Sequence, residues 1–295
     1  MAAALTATSG MMSAKEQKVG PKELKVISYN VRLGTAVKKD KNNCWDNRKP
    51  ATRAMLQEQR PDVMGVQEAY DFQIDYISAA MPVYKNVGVG RDDGVNKGEH
   101  MSIFYDTTKV VLLDWGTYWL SETPDVPSKG WGAACKRTAT WTKFRHISSG
   151  REFFYVNTHL DHKSVLARRK GLALIVDNIA KMNPGGKLPM ILTGDFNVRP
   201  QNVETLGDLD KIMLSARNTA KKRDTHGSFN GFGKYGASDA APTWEGAVPL
   251  KACPILDYIY YSKFSKCKVF RVLDTPYAGI PYISDHYPIM SILKF

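Results

Sequence analysis

Residues 189–197, PMILTGDFN, decide the fold, because an apolar strand here runs directly into a polar turn. The run PMIL is typical of a buried strand, and GDFN carries a carboxylate and an amide two positions apart. Three other segments have the same form, each ending in amide, carboxylate or imidazole groups: LKVISYN (24–30), DVMGVQE (62–68) and FFYVNTH (153–159). Functional sites of α/β proteins form where strands end and loops begin. The sequence therefore predicts an α/β fold whose site is assembled from strand ends.

Helical and extended patterns alternate along the rest of the chain. Helices are predicted over 49–60, which Pro61 ends, over 71–81, and over 164–182, where Ser164 can cap the first turn. The middle block has little helical periodicity, which favours antiparallel strands: MSIFYD (101–106), KVVLLDWGTYWL (109–120) and TATWTKF (138–144). Late strands follow at 255–261, 266–273 and 287–295. With no linker between them, these elements predict one domain over 24–295, with two face-to-face sheets and helices outside.

Residues 1–23 precede the first strand and are predicted to be flexible. The first 14, MAAALTATSGMMSA, are uncharged, small and apolar, like the later part of a secretory signal peptide, although no basic segment precedes them. We therefore expect a secreted or periplasmic protein, with a cytoplasmic protein that has a floppy tail as the alternative. The cysteines lack the spacing of zinc or redox sites, and export would allow one or two disulfides among them: Cys44, Cys135, Cys253 and Cys267.

The chain is basic, with 41 Lys and Arg against 29 Asp and Glu and a formal net charge of +12. This excess suits an anionic partner such as a phosphate ester, a nucleotide or a nucleic acid, although a solvated basic face gives the same count. Two basic clusters, 168–170 and 221–223, are candidates to follow a polyanion backbone. No apolar run is long enough for an integral membrane segment. Nothing indicates a protein partner, so a monomer is expected.

Three strand-end residues are suitable ligands for a hard divalent cation: Glu68, Asn30 and Asp285. Mg²⁺ prefers oxygen ligands and retains several waters, and Mn²⁺ is a substitute for it. Histidine is not a ligand that Mg²⁺ prefers. His159 and His286 are therefore expected to donate hydrogen bonds to phosphate oxygens or to protonate a leaving group, with carboxylates fixing their tautomers.

The motifs SYN, QE, TH, GDFN, LDY and SDH follow one another in this order over residues 28–286. Each motif alone is weak, but their joint order and spacing resemble the endonuclease/exonuclease/phosphatase superfamily, of which deoxyribonuclease I is the best-known member. The resemblance covers residues 24–295. It implies a DNase I-like four-layered α/β sandwich, in which two mixed, mostly antiparallel sheets pack face to face with helices outside. It also implies metal-dependent hydrolysis of a phosphoester by in-line attack of an activated water.

The resemblance assigns a role to each motif residue. Glu68 looks like the main Mg²⁺ ligand, with Asn30 beside it, and Asp285 looks like a carboxylate on the metal side. Asp195 resembles the residue that orients or deprotonates the attacking water. Asn197 resembles the residue that holds the phosphate or that water.

Two histidines complete this set. His286 is similar to the histidine that contacts the scissile phosphate, and Asp257 is similar to its carboxylate partner. His159 is similar to the second phosphate-contacting histidine. Glu99 matches the position whose carboxylate pairs with that second histidine in the deoxyribonuclease branch. Together these groups provide stabilised phosphate oxygens, a positioned water and a stabilised leaving oxygen, which are what phosphoester hydrolysis requires.

Substrate choice is expected to lie in loops outside the motifs. Arg168, on the helix after THLDH, is a candidate to reach a phosphate, and Phe229, in GSFNGFGKYG (227–236), is a candidate to stack on a base or a sugar. SYNVRLG lacks the WN-x-NG-x-R form of abasic-site endonucleases, and no PAWCDR-like segment of inositol polyphosphate 5-phosphatases lies near Asp257. THLDH and ILDYI are more similar to the deadenylase, nocturnin and bacterial secreted branches. A phosphodiesterase or nuclease is therefore expected. The alternatives are a phosphomonoesterase acting on a sugar, inositol or lipid-linked phosphate, and a catalytically silent binding scaffold.

Overall fold

The structure, a computed structural model, describes residues 19–236 and 251–295. Within these ranges the strands are β1 (Glu23–Asn30), β2 (Val63–Gln67), β3 (Tyr84–Val87), β4 (Ile103–Asp106), β5 (Val110–Trp119), β6 (Thr138–His146), β7 (Glu152–His159), β8 (Met190–Asp195), β9 (Leu214–Ser215), β10 (Lys222–Arg223), β11 (Asp257–Ser262), β12 (Lys266–Val272) and β13 (Ile289–Lys294). Each strand predicted from the sequence is present, with shifts of a few residues at its ends.

The helices are α1 (Val37–Asp40), α2 (Trp45–Gln59), α3 (Asp71–Ala80), α4 (Val165–Met182), α5 (Val203–Ile212) and α6 (Ala216–Thr219), with 3₁₀ turns at Lys41–Asn43 and Pro184–Gly186. Ser164 caps α4 as predicted, because its hydroxyl accepts a hydrogen bond from the Ala167 amide at 3.1 Å. Helix α2 begins four residues before the predicted position, at Trp45, whose buried ring packs edge-on against Tyr76 at 5.7 Å between centroids. It ends where Arg60 adopts a left-handed conformation with φ 42°.

The strands form two mixed sheets. One has the order β10-β12-β13-β1-β2-β4-β3 and the other the order β5-β6-β7-β8-β11-β9. The pairs β1–β2, β10–β12 and β7–β8 are parallel, and the other pairs between these described strands are antiparallel. The prediction of mixed, mostly antiparallel sheets is therefore confirmed.

Three hydrophobic clusters correspond to the three interfaces of a four-layered sandwich. The first lies between the sheets and includes Val26 of β1 and Phe153 of β7. The second joins the seven-stranded sheet to α2 and α3, and includes Met55. The third joins the six-stranded sheet to α4 and α5, and includes Ile175 and Leu209. The predicted arrangement of helices outside two packed sheets is thus confirmed, and each apolar face is buried against the next layer.

The proposed signal-like segment, residues 1–14, lies outside the described residues. The four cysteines are all free, so the disulfides that export would allow are not formed. In the part of the chain that the structure describes, no helix is both long enough and apolar enough to cross a bilayer.

Candidate active site

Four motif residues lie at strand ends on the face between the sheets. Along β1, Val26 points into the inter-sheet cluster, so the period of two places Asn30 on the same face. The same alternation places His159 at the end of β7, Asp195 at the end of β8 and Asp257 at the start of β11. The strand register sets Asp195 directly opposite both His159 and Asp257. The two sheets therefore bring these polar groups to one shared edge.

Asn30 joins two carboxylates across this edge. Its Nδ2 donates to Glu68 Oε1 at 3.0 Å and to Asp195 Oδ2 at 3.1 Å. The Leu33 amide donates to the other Glu68 oxygen at 3.0 Å. The side-chain oxygen of Asn30 accepts from the Arg32 amide at 3.0 Å. In this arrangement Asn30 positions both carboxylates, and its predicted role as a direct metal ligand stays a prediction.

Arg32 lies between the acidic groups. Its guanidinium forms two hydrogen bonds with Asp40, at 2.9 and 3.0 Å. It also lies 3.9 Å from Glu68 Oε2 and 3.7 Å from Asp285 Oδ2. Glu68 and Asp285, which are far apart in the sequence, thus share one cationic neighbour. Arg32 was not among the residues singled out from the sequence.

The GDFN turn is held by its own backbone. The Asn197 amide donates to Asp195 Oδ1 at 2.9 Å, and Asn197 itself has a φ of 51°. Its side-chain nitrogen lies 2.9 Å from His159 Nε2 and donates to the Leu160 carbonyl at 3.1 Å. A Cβ at Gly194 would overlap the carbonyl of Thr158 on the neighbouring strand, so only glycine fits before the aspartate.

His286 is oriented by Asp257. The two form a hydrogen bond of 2.8 Å between Nδ1 and Oδ2, and the Ser228 hydroxyl donates to the same carboxylate oxygen. On its other side, His286 Nε2 lies 3.6 Å from Asp195 Oδ2. Phe229 packs on the imidazole with ring centroids 4.9 Å apart. The predicted Asp257–His286 partnership is present, and Phe229 lies next to the site, where it contacts this histidine.

Burial and like charges perturb the acids of the site. Burial, together with the charges of Asp257 and Glu68, raises the pKa of Asp195 to about 7 despite the opposing charge of His286. Burial also raises the pKa of Asp285. Burial acts in the same direction on Glu68, but Arg32 and the hydrogen bond from Asn30 outweigh it, so the pKa of Glu68 is lowered. The site concentrates negative charge that favours a cation or a proton.

The two histidines are perturbed in opposite directions. Burial opposes protonation of His286, but the charges of Asp257 and Asp195 outweigh it and hold the pKa of His286 well above its usual value. Burial and the charges of Arg137 and Arg91 hold the pKa of His159 well below its usual value. His286 is therefore a cationic donor and His159 a neutral imidazole near neutral pH.

The acidic residues fit a hard divalent cation. Glu68, Asp195 and Asp285 converge at one edge, and Asp257 Oδ1 is buried without a hydrogen-bond partner in the described part of the chain. Asp195, Asp257 and His286 also bring one potential ligand atom each within 4.8 Å of one another. Mg²⁺ prefers oxygen ligands to imidazole nitrogen, however, so the oxygen donors Glu68 and Asp285 suit it better.

The predicted pairing of Glu99 with His159 is not formed among the described residues. Glu99 instead forms an ion pair of 2.7 Å with Arg91. Nδ1 of His159 is buried with no hydrogen-bond partner among the described residues. Burial and the charge of Glu68 raise the pKa of Glu99 to about 6. Glu99 thus pairs with Arg91, whereas the resemblance assigns its carboxylate to His159.

Two further arginines lie on the His159 side of the site. Arg137 is 5% exposed, and its Nη1 has no partner in residues 19–236 or 251–295. Arg168, the predicted phosphate contact, donates from Nη1 to the Asp161 carbonyl at 2.8 Å and lines the same cavity as Asn197. Sequence reasoning missed Arg137, Arg32 and Ser228, because nothing in their local pattern distinguishes them from solvated or turn residues.

Comparisons with known proteins agree with this geometry. A family model described as "Endonuclease/Exonuclease/phosphatase family" matches residues 27–286. The structure of a mannosyl-6-phosphatase of Bacteroides thetaiotaomicron is similar, with a TM-score of 0.83 and 33% identity, covering 92% of this chain and 100% of that chain. An uncharacterized protein of Acanthamoeba polyphaga mimivirus is 26% identical over 92% of this chain and 100% of its own length. Nocturnin of Drosophila melanogaster is 24% identical over 83% of this chain and 41% of its own length. With its DNase I-like sandwich and its matching motifs, this chain belongs to the endonuclease/exonuclease/phosphatase family of phosphoester hydrolases.

Proposed function

We propose that this protein is a metal-dependent phosphatase that hydrolyses a phosphate monoester of a sugar. The observation that carries the hydrolytic activity is the group of polar side chains at one edge of the two sheets, all buried except the partly exposed Glu68: Asn30, Glu68, Asp195, Asp257 and His286. The choice of a sugar phosphate rests on the mannosyl-6-phosphatase, which is 33% identical over nearly the whole chain. This substrate class is one of the alternatives that the sequence left open.

Asp195 is the residue that activates water in this proposal. Its Oδ1 is fixed by the Asn197 amide at 2.9 Å, and its Oδ2 lies within 3.6 Å of both histidines. A water in this space can donate to the carboxylate while its oxygen faces phosphorus. As the bond from water oxygen to phosphorus forms, Asp195 accepts the proton of the water. The bond to the sugar oxygen breaks with its electron pair staying on that oxygen, which takes a proton from solvent water.

Three side chains line the space for the phosphate. His286, cationic and fixed by Asp257, donates from Nε2 to one phosphate oxygen. Asn197 and His159, 2.9 Å apart, flank the other side of Asp195. Because Asp257 and Ser228 hold the imidazole in place before the substrate arrives, little reorganisation is needed during the reaction.

Glu68 and Asp285, with Asn30 beside them, would hold the cation. When it is bound, Mg²⁺ or Mn²⁺ supplies positive charge that offsets the charge of the phosphate. Arg32, already within 4 Å of both carboxylates, keeps them facing one another.

A phosphodiesterase or nuclease is the second candidate, and a separate observation favours it. The surface beside Asn197 carries Arg168 and Arg199, which suit the next phosphate of a polynucleotide. The basic cluster 221–223 is exposed and adds positive charge elsewhere on the surface.

The test compares p-nitrophenyl phosphate, bis(p-nitrophenyl) phosphate, mannose 6-phosphate and single-stranded DNA, with Mg²⁺, with Mn²⁺ and with excess EDTA. We expect metal-dependent turnover of the two monoesters, reduced by a factor of hundreds in Asp195→Asn. Asp114→Asn, an exposed carboxylate on β5, is the matched control and should match the wild type. Preferential cleavage of the diester would select the second candidate, and no metal-dependent turnover of any substrate would mean a silent scaffold.

A further inference from the structure

A wide-open cavity of about 590 Å³, with exposed side chains along half of its lining, lies directly beside Asn197 and is not used by the reaction described above. Its walls come from the chain after the GDFN turn, from the start of α5 and from Arg168 on α4. Ligand pockets generally have volumes of about 300–1,000 Å³, so this space exceeds what one phosphate oxygen or one water requires. Because Asn197 lines both the cavity and the reaction centre, a group bound in the cavity lies next to the phosphate that reacts.

Two arginine side chains border this cavity, and the N–H groups of both are incompletely hydrogen-bonded. Arg199 is exposed, and its guanidinium forms no hydrogen bond or ion pair with residues 19–236 or 251–295. Arg168 uses Nη1 to bind the Asp161 carbonyl, but its Nε is buried without a partner in those same ranges. An anion that accepts hydrogen bonds from the unpaired guanidinium N–H groups at this surface is therefore favoured.

The acidic group on the wall does not cancel this charge. Glu204, the carboxylate that also lines the cavity, lies 3.7 Å from Arg169, which faces it from α4. Arg199 and Arg168 therefore leave a net positive cavity. Guanidinium groups bind phosphate through two parallel hydrogen bonds, which lysine cannot reproduce.

We propose that this cavity binds a second phosphate of the substrate, so that the preferred substrate is a sugar carrying two phosphates. This inference rests on the proposed function, since it takes the reacting phosphate to lie at Asp195 and Asn197. One phosphate then reacts at the site, and the other is held by Arg168 and Arg199. A flanking phosphate of an oligonucleotide has the same chemistry and is the alternative source.

The experiment measures kcat/KM for two matched pairs: mannose 6-phosphate with mannose 1,6-bisphosphate, and thymidine 5′-phosphate (pT) with thymidine 3′,5′-bisphosphate (pTp). We expect the wild type to prefer the sugar bisphosphate by at least about 10-fold, and Arg199→Ala to lower this preference by about 10-fold or more. Arg199→Lys should retain only part of it. Arg53→Ala, an exposed arginine on α2, is the matched control and should leave the preference unchanged.

Each other outcome has a definite meaning. An equal rate for both sugars, or a preference that survives Arg199→Ala, would overturn the second-phosphate site while the phosphatase proposal stands. A preference confined to the nucleotide pair, pTp over pT, would overturn the sugar assignment. If wild-type protein turned over no substrate, the proposed function would fail. Calorimetric binding of the bisphosphate, compared between wild type and Arg199→Ala, would then still decide whether the cavity holds phosphate.

Discussion

The substitution Asp257→Asn removes the charge that fixes His286 while leaving a side chain of nearly the same size. Both residues are buried, and they share a hydrogen bond of 2.8 Å. Ser228 donates to the same carboxylate oxygen, and the other oxygen has no hydrogen-bond partner in the described ranges. The amide oxygen can still accept both hydrogen bonds, but it cannot stabilise the imidazolium by charge.

The size of the expected loss in kcat/KM follows from the hydrogen bond between Asp257 and His286. A hydrogen bond between charged groups contributes about 1.5–3 kcal/mol net, and about 1.4 kcal/mol corresponds to tenfold in rate. We therefore expect kcat/KM to fall about 10- to 100-fold. The charge of Asp257 also helps to hold the pKa of His286 well above its usual value. Without that charge the pKa of His286 falls, so the loss of activity on the alkaline side moves to lower pH.

The assay is a pH profile of kcat/KM at saturating Mg²⁺ for wild type and Asp257→Asn. Asp224→Asn is the matched control, because Asp224 also pairs with a cation, Arg271 at 2.7 Å, but away from the site. Urea unfolding of each variant separates lost stability from lost catalysis. If Asp257→Asn kept the wild-type rate and alkaline limb, Asp257 would not hold His286 in its working state.

Three further substitutions test separate parts of the molecule. Glu68→Gln should raise the Mg²⁺ concentration for half-maximal rate because it removes a charged oxygen ligand; an unchanged metal titration would place the cation elsewhere. Burial raises the pKa of Asp62 to about 6, so folding favours its protonated form and the wild type loses stability as pH rises from 4 to 7. In urea unfolding, the free energy of unfolding of Asp62→Asn should therefore rise relative to that of the wild type by up to about 3 kcal/mol over this pH range. A difference between the two proteins that does not change with pH would refute this. Gly65→Ala places a Cβ against the side-chain oxygen of Asn157 and should cost about 1–3 kcal/mol in the same assay, whereas Gly207→Ala, in open space on α5, should not destabilise.

The strand ends of the site could be predicted because alternation is a local property. In β8, Ile191 faces the core between the sheets, and the period of two then fixes the direction of Asp195 without any tertiary information. The same alternation puts Asn30 and His159 on the inter-sheet face in the structure. The four layers followed from the number of strands and from helices with one apolar side.

The partners of these groups could not be predicted, because they depend on which long side chain fills a space in three dimensions. Glu99 has Arg91 eight positions earlier, and this local pair forms instead of the long-range pair with His159. Ser228 lies in a glycine-rich loop whose sequence indicates only a turn, yet its hydroxyl reaches Asp257. Such contacts are set by how loops cross the sheet edge, and periodicity carries no information about them.

The backbone of the site explains why its residues could be found by motif but not by propensity. Arg32, Glu68 and Asn197 have φ values of 59°, 64° and 51°, in the left-handed region that costs most residues about 1–2 kcal/mol. Neither Glu68 nor Arg32 is a residue type that favours this region, so local preferences argue against both conformations. They persist because the Leu33 amide binds Glu68, the Arg32 amide binds Asn30, and Arg32 itself binds Asp40. The left-handed turn after β2 thus directs the Glu68 carboxylate to the edge shared by both sheets. A strand continued in regular geometry would have turned this carboxylate toward the opposite face.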